Sequence, residues 1–209
     1  MNAEQFIQRI REDNDTALSR LGSSKALYAD TMGDLDDDTV LSSAADAESH
    51  AAATFELWAE NEPEEQVAAA FAETAAEERA HYDRVADKIE EHEPGDAVPA
   101  IQQHLRDLDG TVERLGGFVG RTVAAEQSTT QFTGYFVGEA DPQTAQLFRE
   151  IGDDLDPQLQ RVSDLLEARC EDDEDWERAA AAADGAIQTA YRAYTEALES
   201  MGVNPKPVC

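Results

Sequence analysis

Apolar residues recur at helical spacing along almost the whole chain, and the charged residues fall between them. This periodicity, punctuated by proline and glycine, confines the fold to packed α-helices. Segment 2–21 carries Phe6, Ile10, Leu18 and Leu21 on one face, and Gly22 ends it. A short helix is predicted over 25–32. After the acidic turn 33–38, a helix is predicted over 39–60 with Asp37 or Asp38 as its N-cap. Pro63 sits in the first turn of the next, where its missing N–H costs nothing. That helix runs to about 92 and stops before Pro94-Gly95. Further helices are predicted over 98–115, with a break near Gly116-Gly117, and from there to 138. The Asp141-Pro142 pair opens a helix to about 170, which Pro157 should bend or break. The last helix spans 173–201, and its alanine run 179–183 offers a smooth face for close packing. The tail 202–209 cannot continue it. No segment reads as a β-strand.

Charge narrows the range of partners. Among 209 residues, 46 Asp and Glu face 16 Lys and Arg, a net charge of -30. A chain so acidic has no general affinity for nucleic acid or anionic membrane, since phosphate contacts need basic side chains. Lysine occurs only at Lys25, Lys88 and Lys206. Acidic, lysine-poor surfaces resemble those of proteins from extreme halophiles, where the Debye length falls to ~3 Å and like charges barely repel. Cys170 and Cys209 form no CxxC pair, which excludes a rubredoxin or zinc-ribbon module. The N-terminus has no basic region followed by an apolar run, and no stretch approaches ~20 apolar residues. A cytoplasmic protein is expected.

An internal repeat organises the middle of the chain. At an offset of 77 residues, 55–89 and 132–166 share nine identities, among them Phe55/Phe132, Phe71/Phe148, Arg84/Arg161 and Val85/Val162. Two similar helix hairpins packed about a pseudo-twofold axis account for this. They would form a four-helix bundle over 39–170, with 94–117 as the crossover. Residues 1–38 form an N-terminal helical extension and 173–201 a fifth helix, all within one domain.

Two glutamates occupy positions where apolar residues belong. Leu41, Glu48 and Phe55 are seven apart on one stripe, and Phe71, Glu78 and Val85 on another. His81 follows Glu78 at i+3 and shares its face. A buried carboxylate is costly unless it is paired, hydrogen-bonded or on a metal. Carboxylates with a neutral imidazole suit iron, manganese or zinc.

With Glu48 on one helix and the Glu78-x-x-His81 motif on the next, segment 44–90 resembles the first half of a rubrerythrin or ferritin-like di-iron bundle. The resemblance implies Glu48, Glu78 and His81 as metal ligands. It also implies a centre that handles peroxide, dioxygen or ferrous iron, an external reductant and a homodimer. The second hairpin departs from the pattern. Leu155 and Gln158 stand opposite Glu78 and His81, Pro157 lies between them, and Ala125 stands opposite Glu48. Glu126, one residue on, could serve only if its helix turned by ~100°.

Two functions therefore remain open. One is a non-haem metal protein that uses Glu48, Glu78, His81 and Glu126. The other is a metal-free scaffold acting through its surface, in which the three ligands form a buried hydrogen-bonded trio. In that second reading Glu78→Leu, copying Leu155, should raise stability. His50, His92 and His104 lack ligand partners at helical spacing; His92 is expected in solvent at a charged helix end. Tyr82, Trp58 and Trp176 read as packing residues. The acidic run 171–175 reads as the first turn of the last helix, favoured by the helix dipole, and lacks calcium-loop spacing.

Overall fold

The computed structural model describes residues 1–205, and within them the chain forms nine α-helices and no strand. They are α1 (Ala3–Asp13), α2 (Asp15–Leu21), α3 (Ser24–Asp30), α4 (Asp37–Asn61), α5 (Glu65–Ala86), α6 (Ala100–Arg106), α7 (Thr111–Gly138), α8 (Pro142–Arg169) and α9 (Asp173–Ser200). Cys209 lies outside the described residues. Short connections at 62–64 and 139–141 make α4–α5 and α7–α8 adjacent antiparallel pairs. Helix α5 also packs on α8 and α4 on α7, and α6 lies in the long connection between the pairs. Helix α9 runs along the other side of α7, and α1–α3 pack on α7, α8 and α9.

Four of the nine helices among the described residues start at a side-chain cap. The Asp141 carboxylate accepts from the N–H groups of Gln143 and Thr144, and Asp172 from those of Glu174 and Asp175. The acidic run 171–175 is thus a capped first turn. Helix α4 starts two residues earlier than expected because Asp36, not Asp37 or Asp38, accepts from the Thr39 N–H. Segment 2–21 divides at Asn14, whose buried amide donates to the Ile10 carbonyl at 3.0 Å and to Asp184 at 2.6 Å. Helix α5 ends at Ala86, short of the expected 92. Pro157 does not interrupt α8.

The predicted break at Gly116-Gly117 is absent. The chain turns earlier, at Gly110, whose φ of 103° is costly for any residue with a Cβ. Gly116 and Gly120 instead stand one turn apart on the α7 face that meets α9. A Cβ on Gly116 would lie 2.1 Å from the Ala179 carbonyl oxygen, and one on Gly120 2.3 Å from that of Ala183. The glycines of α7 and the alanine run of α9 therefore bring two backbones into contact.

The interior has two apolar clusters. Phe55, Trp58, Phe71 and Phe118 anchor the first, with Phe55 and Phe118 ring centroids 4.7 Å apart. Leu41, Val85, Phe132, Phe136 and Phe148 anchor the second. Trp58 and Trp176 are buried as expected. On α4, α5 and α8 the residues of one cluster are separated along the chain from those of the other by polar residues, Glu48, Glu78 with His81, and Gln158; on α7 Arg121 lies between Val119 and Val123 at the edge of the first cluster. A polar layer thus crosses the middle of the apolar core.

Gly116→Ala should destabilise the fold by ~1–3 kcal/mol, because the added methyl meets fixed backbone. Gly134→Ala lies in the same helix with open space around it. It should stabilise by ~0.5–1 kcal/mol through helix propensity. Denaturant midpoints of the two variants against the parent check this.

Candidate functional site

The polar layer is built from one or two residues of each helix in the pairs. Glu48 comes from α4, Glu78 and His81 from α5, Arg121 from α7, and Asp154 and Gln158 from α8. Glu78, His81, Arg121 and Gln158 are buried. The Glu48 side chain is 13% exposed, and Asp154 sits at the solvent edge with 52%.

Arg121 organises this layer. It clasps Glu78 with both terminal nitrogens: Nη1 donates to Oε1 at 2.9 Å and Nη2 to Oε2. Gln158 Nε2 donates to Glu78 Oε1 at 2.8 Å. The guanidinium also lies 4.0 Å from Glu48 Oε2 and 5.8 Å from the centre of the Phe55 ring. A planar, permanently charged fork suits such a buried carboxylate better than lysine would.

His81 is held from the other side. Its Nε2 lies 3.0 Å from Asp154 Oδ2, a hydrogen bond that assigns the ring proton to Nε2 when the imidazole is neutral. Its Nδ1 is buried without a hydrogen-bond partner and lies 3.7 Å from Glu48 Oε2. One ligand atom from each of Glu48, Glu78 and His81 falls within 4.8 Å of the others. A histidine with one nitrogen on an outer carboxylate and the other directed toward carboxylates has the geometry of a metal ligand with its supporting shell.

The charges shift one another. Burial raises Glu78, and despite Arg121 the neighbouring Glu48 helps push it to about 7. Burial alone would raise Glu48 as well, but the adjoining His81, Glu78 and Arg121 hold it below its ordinary value. Burial alone would lower His81, but Glu48, Glu78 and Asp154 outweigh it and lift the imidazole to about 9.

Of the four ligands expected from sequence, the structure brings Glu48, Glu78 and His81 together. Glu126 is elsewhere: its carboxylate pairs with Arg11 of α1 at 2.7 Å. The rotation of α7 that Glu126 would need does not occur, because the backbone contact of Gly116 and Gly120 with α9 sets its orientation. Three participants were missed. Arg121 lies three residues after Phe118 and four before Ala125, on the core stripe of α7, and a lone arginine there was the available signal. Gln158, read as a lost ligand, is a donor to Glu78. Asp154, off the core stripe, reaches His81 from the rim. Two other histidines need comment. His92 is not solvated; its side chain is 6% exposed, lies 3.2 Å from Asp46 and packs on Tyr82. His50 contacts the Gly95 carbonyl at 3.0 Å.

No protein-family profile matches the sequence, and neither a curated protein nor a solved structure matches it. Functional inference therefore starts from this geometry.

Arg121 changes what Glu78→Leu should do. Removing Glu78 strands a buried guanidinium, so the substitution should lower stability instead of raising it. Arg121→Leu strands Glu78 in the same way. Each single variant should lose about 3–5 kcal/mol, whereas the double variant should recover most of the loss. Denaturant unfolding of the four proteins measures this coupling.

The raised His81 also has a pH signature. A folded-state pKa above the ordinary value means that the native protein binds the proton more tightly. The stabilisation is complete below 6.5 and is lost as pH rises through about 9. Glu78 acts in the same direction between 4.5 and about 7. Melting temperature should fall across this range, and the difference between parent and His81→Gln should shrink between 6.5 and about 9.

Proposed function

We propose that the chain is a ferritin-like helical bundle that holds a single divalent transition-metal ion between Glu48, Glu78 and His81. The observation that carries this reading is the buried, unpartnered Nδ1 of His81, directed at two carboxylates and backed by Asp154. The two helix pairs joined by a long connection, with Glu48 on one helix and Glu78-x-x-His81 on its neighbour, support the ferritin-like architecture.

The donor set fits one ion and not two. Glu78 accepts two hydrogen bonds from Arg121 and one from Gln158. A carboxylate has about four lone-pair sites, which leaves one. A Glu48 carboxylate oxygen lies within 4.8 Å of a Glu78 one. The ion would replace the proton shared by the two carboxyls, so binding should release protons. In a dinuclear bundle a second ion supplies positive charge to the far side of the bridging carboxylates; here the Arg121 guanidinium supplies it. Two carboxylates and one imidazole suit iron, manganese or zinc. When bound, such an ion supplies a Lewis-acidic centre with open positions and, if iron or manganese, one-electron chemistry fed by an external reductant. Arg121 and Gln158 fix Glu78, and Asp154 fixes the His81 tautomer.

A second reading is favoured by the same arginine. Arg121 neutralises Glu78 without any metal, and the layer then serves to specify how the two helix pairs dock, leaving the protein a scaffold.

Elemental analysis decides between them. The protein should be purified without chelator in molar KCl, where screening relieves the repulsion of its acidic surface. Near-stoichiometric iron, manganese or zinc is expected, with loss of it in His81→Ala and retention in Glu126→Gln. An absence of metal in the parent after anaerobic ferrous loading would leave the scaffold reading.

A further inference from the structure

A second feature adjoins the polar layer. A cavity of about 610 Å³ opens between α3, α4, α6, α7 and α9, with Glu48 and Arg121 in its wall. Much of the rest is apolar, including Phe132, Tyr194 and the alanines of α9. Its size lies within the ~300–1,000 Å³ range of small-molecule sites, which join an apolar lining to a few placed polar groups. We propose that this cavity binds a neutral carbonyl compound, a ketone, ester or amide oxygen carried on an apolar body.

The donor that selects this chemistry is Gln102 of α6. It is 4% exposed and stands in the cavity wall. Its Oε1 is buried without a hydrogen-bond partner, and the atom it leaves accessible is the amide Nε2. This orientation is the cheaper of the two, because burying the other end would strand two N–H groups in place of one acceptor. No described residue accepts from that Nε2. Arg121 adds a second donor. Its Nη1 and Nη2 hold Glu78, and neither Glu78 nor Gln158 engages its Nε–H. The wall carboxylates are already faced: Glu48 by His81 and Arg121, Asp46 by the Gly95 N–H at 3.0 Å and by His92 at 3.2 Å. An ammonium ligand would turn its own N–H groups toward those of Gln102. A carboxylate would set a negative charge beside Glu48. A neutral oxygen accepts from Gln102 and adds no charge, while the apolar body covers the alanines of α9. This holds with or without an ion at His81, because Gln102 belongs to neither ligand set.

The test is calorimetric titration of the full chain in molar KCl with 4-phenyl-2-butanone. The controls, 3-phenylpropionate and 4-phenylbutan-2-amine, keep the phenylethyl body and change the charge of the head group. One ketone per chain should bind saturably, with both charged analogues weaker by about fivefold or more. Gln102→Leu removes the donor and should weaken the ketone about fivefold. Gln102→Glu puts an acceptor in the same place and should invert the order, the amine binding above the ketone. In nitrogen–proton spectra of the parent, the Gln102 side-chain amide pair should shift as the ketone saturates. The proposal falls if the ketone does not saturate, or if either charged analogue binds as tightly. It falls equally if Gln102→Leu binds the ketone unchanged. Should both variants lose helicity, the parent's amide pair decides, and resonances unmoved at ketone saturation overturn the proposal.

Discussion

The buried pairing of Arg121 with Glu78 is the interaction on which the centre of the molecule depends. Two carboxylates, an imidazole and a guanidinium stand between two apolar clusters, where unpaired charge is costly. With all four ionised the layer is neutral, and Gln158 and Asp154 satisfy much of what remains. Because the partners come from four helices, the layer forms only when both pairs are docked in one register. Misalignment by a turn would place charges against the phenylalanines of either cluster. Apolar burial holds the helices together, and the polar layer selects one alignment among several that would bury similar area.

The same layer ties structure to chemistry. The His81 nitrogen is one of five buried side-chain polar atoms without a hydrogen-bond partner among the described residues, whereas most buried polar atoms in proteins are paired. Its neighbours are the two carboxylates. Glu48 and Arg121 also line a cavity of about 610 Å³ that opens between α3, α4, α6, α7 and α9. Helix α9 borders this chamber as well as meeting α7. Its alanines let it lie against the glycines of α7 at one end, and they line the chamber at the other.

Much of the fold was legible in the sequence. The Asp141-Pro142 start, the acidic start of α9 and the long α4 and α5 follow from periodicity and caps, which are local effects. The errors were local signals overridden by neighbours. Asn14 breaks a helix because its amide has a partner on α9, and Gly116-Gly117 does not break one because α9 needs the space. Half of the candidate site was equally legible: Glu48, Glu78 and His81 stand out as polar residues on apolar stripes. Gln158 looked like a missing ligand, and Asp154 lies off the core stripe of its helix. Their roles exist only across the gap between α5 and α8, which residue spacing within one helix does not encode.

The sequence by itself determined that the chain is helical, where most helices begin, and that Glu48, Glu78 and His81 face inward. These outcomes rest on periodicity, capping and side-chain direction, all of which act within a few residues. Only the tertiary structure decided what those three groups meet. Whether a buried carboxylate faces a metal, a proton or a guanidinium depends on the rotation of the helix opposite. Close contact of Gly116 and Gly120 with α9 sets that rotation on α7, turning Arg121 toward Glu78 and leaving Glu126 with Arg11.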